Sequence, residues 1–308
     1  MDRVGLCRPP AVAGSWYPDA EAPLRAAVRA HLAAVEDTPS GKIIGVIVPH
    51  AGLVYSGPVA AHAYRAVEGH AYDVAVLVGP SHHVGFDGVA IYPSGAFETP
   101  LGPVPVASEV ANRLMAAPVV RTHPTAHVRE HSLEMQLPFL RLVLPSTPIV
   151  PLLIGYQERD TILALAEALA ETLFGLTPLI VASTDLSHYF DAGRAATLDH
   201  VVIDHVTRFD ADGLLAEYER YPPPKRGRCV ACGGGAAVAV MKAAAVLGAR
   251  EARALRYADS GDVSGNKTAV VGYLAAALGC FDRSLAETDR PRRSPAETND
   301  GRHGTGEA

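Results

Sequence analysis

His50, His82, His83, Asp185 and His188 each stand just past a short apolar run, and all five are of residue types able to bind metals or move protons. With a thiolate from Cys229-Val230-Ala231-Cys232, their imidazole and carboxylate groups suit a mid-to-late first-row metal such as iron, copper or zinc. Two histidines plus one further ligand, with coordination positions left open, is the pattern of non-heme Fe(II) oxygenases. Such a site activates O₂ or a hydroxylated substrate while a neighbouring histidine moves protons. Each residue also has an ordinary reading. The chain holds 13 histidines, and a single histidine is more often a surface or core residue than a ligand. Gly79-Pro80-Ser81-His82-His83 alone is a turn; its coincidence with Pro49-His50-Ala51-Gly52 at an equivalent position points to a site.

The Cys229–Cys232 spacing is that of a redox or zinc pair, but no second pair exists and Cys7 and Cys280 are isolated, which argues against structural zinc. The residues leave open whether Cys229 joins Cys232. His131 and Glu134 lie three apart at the start of a helix and share a face, either orienting a ligand or forming a surface pair. Asp185 and His188 are also three apart. An aspartate there either holds a histidine tautomer for general-base work or caps the following helix.

Four apolar runs position these groups, at about residues 43–49, 73–78, 149–154 and 179–182, and they read as buried parallel strands. Their carboxyl ends are where open α/β sheets place their chemistry. Pro151 is a flaw in the third. Helices are expected near 24–32, at 58–67 with Pro58 near its start, at 107–116, from a Ser132 cap to about Leu144, over 158–174, twice within 195–219, and from the 233–235 glycines to Leu247. Residues 85–106 read as a hairpin or edge excursion, and 121–130 and 221–225 as loops, the former over the site face. Strands near 252–257 and 268–275 close the fold. The expected architecture is a single α/β domain over 1–281, an open, mostly parallel sheet with helices on both faces, followed by a disordered polar tail over 282–308.

The 308 residues are 48% hydrophobic and 19% charged, with a net charge of −6. Nothing in that balance supplies a basic footprint for nucleic acid or an anionic membrane. No apolar segment reads as a signal peptide or membrane span. Four cysteines do not make a disulfide scaffold, so a reducing cytoplasm is the expected compartment.

In order along the chain stand Gly14-Ser15-Trp16-Tyr17, Pro49-His50-Ala51-Gly52, Gly79-Pro80-Ser81-His82-His83, His131-Ser132-Leu133-Glu134-Met135-Gln136-Leu137-Pro138 and Ser183-Thr184-Asp185-Leu186-Ser187-His188. With Cys232 and Tyr257-Ala258-Asp259-Ser260, they resemble the Memo family (mediator of ErbB-driven cell motility) over about residues 5 to 280. In prokaryotes that family is known as protein B of the AmmeMemoRadiSam system. The resemblance implies a fold similar to the LigB-type class III extradiol dioxygenases, which hold Fe(II) with two histidines and a glutamate. Carried over, the metal histidines fall on His50 and His82, the glutamate position on Cys232, and the proton-transfer histidine on His188 beside Asp185. His83, Tyr55, His131 and Glu134 are assigned to the pocket or its support.

Fe(II) is the expected metal, with Cu(I) or Zn(II) as alternatives. A thiolate in place of the carboxylate is softer and more easily oxidised, which argues against routine dioxygenase turnover. The implied function is a metal-dependent redox enzyme or oxygenase working with AMMECR-type and radical-SAM partners. The alternative is a non-catalytic module whose pocket recognises a peptide or partner protein; a peptide or a small molecule is the implied ligand.

Overall fold

The computed structural model describes residues 7–282. Apart from Asp282, the expected polar tail lies outside the described residues. In chain order the strands are β1 (Cys7–Arg8), β2 (Gly41–Val48), β3 (Val74–Pro80), β4 (Val89–Ile91), β5 (Ala96–Phe97), β6 (Val104–Pro105), β7 (Val120–Thr122), β8 (Ile149–Ile154), β9 (Pro178–Ser183), β10 (His188–Phe190), β11 (Glu251–Asp259) and β12 (Val270–Phe281). The helices are α1 (Glu21–Ala33), α2 (Leu53–Val67), α3 (Ser108–Leu114), α4 (Pro124–Val128), α5 (Leu137–Val143), α6 (Arg159–Leu173), α7 (Ala192–Thr207), α8 (Ala211–Glu219), α9 (Pro223–Cys229), α10 (Gly234–Val246) and α11 (Gly261–Ser264).

Nine strands form one sheet in the order β10-β12-β2-β9-β3-β8-β4-β7, with β11 along the other side of β12. Its centre, β2, β9, β3 and β8, is parallel throughout. These strands are buried on both faces, so their sequences run apolar without alternation. Antiparallel β12 and β4 flank them. The chain steps from β3 to β8 on one side and returns with β9 on the other, so the strand order reverses beside β3. Ligands gather at the carboxyl ends of strands at such a reversal. Helices flank the sheet, with α1, α2 and α5 packed together, and α10 packed with α6 and α8. Almost every residue of α10 is buried, and its small side chains let it lie close to β2, β3 and β9. No single helix among the described residues is long and apolar enough to cross a membrane; the bent pair α9–α10 passes by length and composition, but α10 is a core helix.

Several expected boundaries move. The second helix begins at Leu53, which puts Pro58 inside it. The carbonyl that Pro58 leaves unpaired belongs to Val54, which is exposed to water. Within 85–106 the expected hairpin is β5 with β6, and β4 extends the main sheet near its edge, antiparallel to β8. The expected loop 121–130 holds β7 and α4. Ser132 caps nothing: its Oγ donates to the Pro80 carbonyl at 3.0 Å, and a 3₁₀ turn over Glu134–Gln136 leads into α5 with Pro138 in its first turn. Residues 223–225 start α9, with prolines where a missing N–H does no harm. Pro151 fits its strand because its carbonyl faces Tyr92, just past the end of β4, where no ladder donor is needed.

The first described residues are fastened by a buried ion pair. Arg8 binds the Glu134 carboxylate and the Glu130 carbonyl, and its Nε donates to the His127 carbonyl at 2.8 Å. Glu134 also accepts from the Ala11 and Val12 amides, at 2.7 and 3.0 Å, and from the Tyr17 hydroxyl at 2.6 Å. Both side chains are enclosed, which spends the charge of Glu134 on residues 8–17.

Beside them His127 is buried, and burial, helped by the Arg8 charge, holds its pKa down to about 3 from 6.5. A base whose folded pKa is depressed takes up its proton in the unfolded chain first, so stability falls as pH drops from 6.5 towards 3. His127→Gln should therefore flatten the decline in Tm between about pH 7 and about pH 4.5. An unchanged slope would show that His127 does not drive it.

Candidate metal centre

β2 and β3 flank β9, and their carboxyl ends carry His50 and His82 to either side of the Ser183-Thr184-Asp185 turn. Ring nitrogens of His50, His82 and His131 lie within 4.8 Å of one another. The His50 and His82 rings meet edge-on, with centroids 5.2 Å apart, while His82 and His131 stack at 4.5 Å. Cys232 arrives from the loop before α10, and its Sγ sits 3.2 Å from His50 Nε2.

Close backbone approach makes that delivery feasible. The Cys232 amide donates to the Asp185 carbonyl at 3.2 Å, and the Asp185 amide donates to Sγ at 3.3 Å. A Cβ on Gly233 would lie 2.4 Å from the Ser183 carbonyl oxygen, so a side chain there would push the loop off the end of β9. Gln157 Nε2 ties down the Cys232 carbonyl at 2.7 Å. Cys229 ends α9 half-buried against the core.

Hydrogen bonds fix which nitrogen each histidine presents. Ser183 Oγ donates its one proton to the Ser132 carbonyl at 2.6 Å, so it accepts at His50 Nδ1, 2.8 Å away. Gln136 Nε2 donates to the same oxygen at 2.9 Å. The His50 proton is therefore on Nδ1, and Nε2 is bare towards Cys232. Burial, with imidazoles crowding it, holds the pKa of His50 well below 6.5, which keeps the ring neutral as a ligand must be. His131 is likewise pushed down to about 4, by burial and then by His82.

Glu130 performs the matching task for His82. One carboxylate oxygen accepts from the His82 amide at 2.6 Å; the other accepts from His82 Nδ1, the His131 amide and the Ser132 amide, each at 2.9 Å. Burial alone would lower the His82 pKa, but hydrogen bonds to Cys232 and Glu130 push it up to about 10. Glu130 is itself held low by His82 against the cost of burial. A carboxylate on Nδ1 turns Nε2 towards the centre, as behind many metal-bound imidazoles. Glu130→Gln should weaken metal binding by about 10–100-fold in a chelator competition. Unchanged affinity would remove this carboxylate from the centre's support.

The remaining candidates divide. Asp185 is buried, its pKa raised by that burial, and its Oδ1 accepts from the His50 amide at 2.7 Å. His188 opens β10, close enough for its charge to bear on both His50 and Asp185, and its buried Nδ1 has no hydrogen-bond partner. Tyr189 beside it holds φ at 62°, where the pairing of β10 with β12 shifts register. Bulges re-aim side chains, and strained backbone collects at functional sites. His131 stands inside the imidazole cluster, with the Trp16 ring 4.3 Å from it as a wall. His83 is exposed, 5.9 Å from His131, and Tyr55 lies 40% exposed in the first turn of α2. Glu134 is no surface pair: it is fully enclosed around Arg8 and Tyr17, makes no hydrogen bond to the imidazoles, and is near enough for its charge to bear on His131.

Sequence reading passed over Glu130 and Gln136. Glu130 sits in a polar stretch with no periodicity, and only its position next to His131 hinted at a role. Gln136 lies within the quoted motif, where spacing does not reveal that it bridges β2 and β9 through the Pro49 carbonyl and Ser183.

An α/β sheet with three imidazoles and a cysteine converging at its carboxyl edge defines a protein with a candidate metal centre. The model of the Memo-like protein family matches residues 8–277, and the chain belongs to that family. It is 37% identical over 281 residues to a MEMO1 family protein of Methanopyrus kandleri, covering 87% of this chain and 97% of the relative. MEMO1 family proteins of Methanothermobacter thermautotrophicus and Methanosarcina mazei are each 36% identical, with 87% of this chain and 99% and 97% of those relatives covered. Among solved structures, an uncharacterized protein from Escherichia coli K12 superposes with a TM-score of 0.55 at 14% identity, covering 77% of this chain and all of that one, a likeness of fold.

Proposed function

We propose that the chain is a metal-dependent redox enzyme or oxygenase whose metal is held by His50, His82 and Cys232. The observation that carries this reading is the bare Nε2 of His50, 3.2 Å from Cys232 Sγ and within the same cluster as His82. Two imidazoles, His82 giving up its Nε2 proton to the incoming ion, and a thiolate would fit Fe(II), the metal we favour, and also Cu(I) or Zn(II). The four cysteines are free, and a centre with a thiolate ligand suits a reducing cytoplasm.

The His82 side chain is 28% exposed, which leaves one side of the cluster open to a substrate. A metal bound there would supply Lewis acidity and one-electron chemistry at its open positions. His188, with its unpartnered Nδ1, is the group placed to hold or move a proton, and Asp185 fixes the His50 backbone beside it. His131 stacks on His82 and carries Trp16 against its own ring, so these two wall the cluster beside the opening. AMMECR-type and radical-SAM proteins are the proposed partners, following from the family alone.

A second reading, a peptide- or partner-binding module, draws support from the exposed Trp16, Tyr55 and Tyr189 around the same opening, since aromatic residues of this kind anchor interfaces. Metal content decides between them. Protein purified without oxygen should carry about one metal per chain. Cys232→Ala should lose it and Cys229→Ala keep it. Loss only in the Cys229 variant would reassign the thiolate, and a metal-free wild type that does not take up Fe(II) would favour the module.

A further inference from the structure

We infer that an apolar groove between α6 and α10 is a docking site for this chain's own segment 283–293, whose Arg290, Arg292 and Arg293 meet the groove's acidic rim. The groove runs towards the amino ends of the parallel strands, the edge opposite the imidazole cluster, so the inference does not depend on the metal reading.

One side of the groove is α6, with Leu163, Ala166 and Ala170; the other is α10, with Ala245 and Val246; Phe209 closes one end. The alanines leave the two helices unfilled between them, and the space measures about 620 Å³. Val246 is 71% exposed at its lip. Phe209 holds φ at 54°, a left-handed backbone that is costly for an aromatic residue, so the end wall is kept in place at a cost. A continuous apolar surface edged by charge marks an interaction site.

The edge is acidic. Glu167 and Glu171 stand one turn apart on α6, exposed, and neither has an ion-pair partner among the described residues. Like charges at that spacing repel, and a cation lying across both relieves the repulsion. The nearby cations are already committed. Lys242 of α10 pairs with Asp212 at 2.6 Å, and Arg113 of α3 binds the Thr172 carbonyl. Asp210 is likewise spent on the Gly213 amide, at 2.8 Å, and on His205. Two carboxylates therefore remain open beside an apolar channel.

The chain delivers cations to this place. β12 leaves the sheet beside the end of α10, where Cys280 Sγ donates to the Gly248 carbonyl at 3.2 Å. Lys42, the pairing partner of Cys280, borders a smaller hollow with Phe174, 79% exposed, and with Val246, which is also the lip of the groove. Apolar surface thus leads from the exit of β12 into the groove, and Glu171 lies three residues before Phe174. Seven residues, 283–289, can span up to about 25 Å. The α10 wall from Lys242 to Val246 is only about 6 Å long. Leu285 comes first in that segment, and Arg290-Pro291-Arg292-Arg293 then brings three guanidiniums within four residues. Guanidinium forks match carboxylates in pairs, which suits Glu167 and Glu171.

The test is photo-crosslinking of the full chain with p-benzoylphenylalanine incorporated at Leu285 or at Ser294, the adducts being mapped by mass spectrometry. They are expected within residues 163–174 and 241–247. Arg290→Glu, Arg292→Glu and Arg293→Glu together should lower the yield about fivefold or more, and adding Glu167→Arg and Glu171→Arg should restore it. Glu167→Gln with Glu171→Gln, against the natural segment, should also lower the yield, which keeps the test intact if the doubly reversed protein does not fold. Adducts elsewhere, no adducts, a yield indifferent to the arginines, or a folded double reversal without recovery would each overturn the inference. Mixing ¹⁵N-labelled with unlabelled chains identifies the occupant: adducts within one isotope are expected, and mixed-isotope adducts would make it a second copy and overturn the assignment to the chain's own segment.

Discussion

Alanine at both His50 and His82 should reduce metal content from about one equivalent to about 0.1 or less, while the protein stays folded. Both side chains end in the cluster, and their backbone anchors are untouched: the amides of His50 and His82 still donate to Asp185 and Glu130. Fold is therefore separable from ligation at these positions. The measurement is elemental analysis of anaerobically purified variants beside their thermal unfolding. Unchanged metal in the double variant would move the site away from these strand ends. Unfolding of the double variant would be resolved by His82→Gln, which keeps the side-chain volume and removes the imidazole donor.

Glu134→Ala should produce the largest loss of stability, about 3–5 kcal/mol, because it strands the enclosed Arg8 charge and also removes acceptors from the Ala11 and Val12 amides and the Tyr17 hydroxyl. At this chain length the loss should appear as a fall in Tm of roughly 10 °C. Replacing both partners, Arg8→Met with Glu134→Leu, should recover part of it, since no uncompensated charge remains. A loss under about 1 kcal/mol in Glu134→Ala would mean that water reaches Arg8 and the pair is not structural. Arg8 also grips the 127 and 130 carbonyls, so this pair bears on how firmly Glu130 and His131 are presented.

The parallel centre of the sheet was legible because β2, β3, β8 and β9 are apolar on both faces and end in Gly, Pro or polar clusters. The helix α6 was legible for the opposite reason: Ile162, Leu165, Leu169 and Leu173 repeat at helical spacing, and Gly175, at φ +81°, marks where it stops. Short elements escaped. β10 spans three residues, holds a tyrosine in left-handed backbone, and depends on β12, which lies about 80 residues later in sequence. α9 hid behind Pro222-Pro223-Pro224, which reads as a loop until the chain after it proves helical.

At the site, His50, His82, His131 and Cys232 could be picked out because imidazole and thiolate are chemically conspicuous. Their geometry could not. The tautomer of His50 is set by a serine on another strand, and that of His82 by a carboxylate 48 residues away. Glu134 shows the limit of spacing arguments. Three residues from His131, it reads equally as a ligand-orienting group or a surface pair, and spacing does not reveal that the 3₁₀ turn at Glu134–Gln136 aims its carboxylate at a buried Arg8.

The most direct test of the metal centre is an anaerobic crystal structure of the metal-loaded protein, with anomalous data at the iron, copper and zinc edges. A single peak bonded to His50 Nε2, His82 Nε2 and Cys232 Sγ, at about 2.0–2.3 Å for a zinc-like ion, is the expected result. A peak held by the three imidazoles with Cys232 turned away, or a peak outside this cluster, would contradict it.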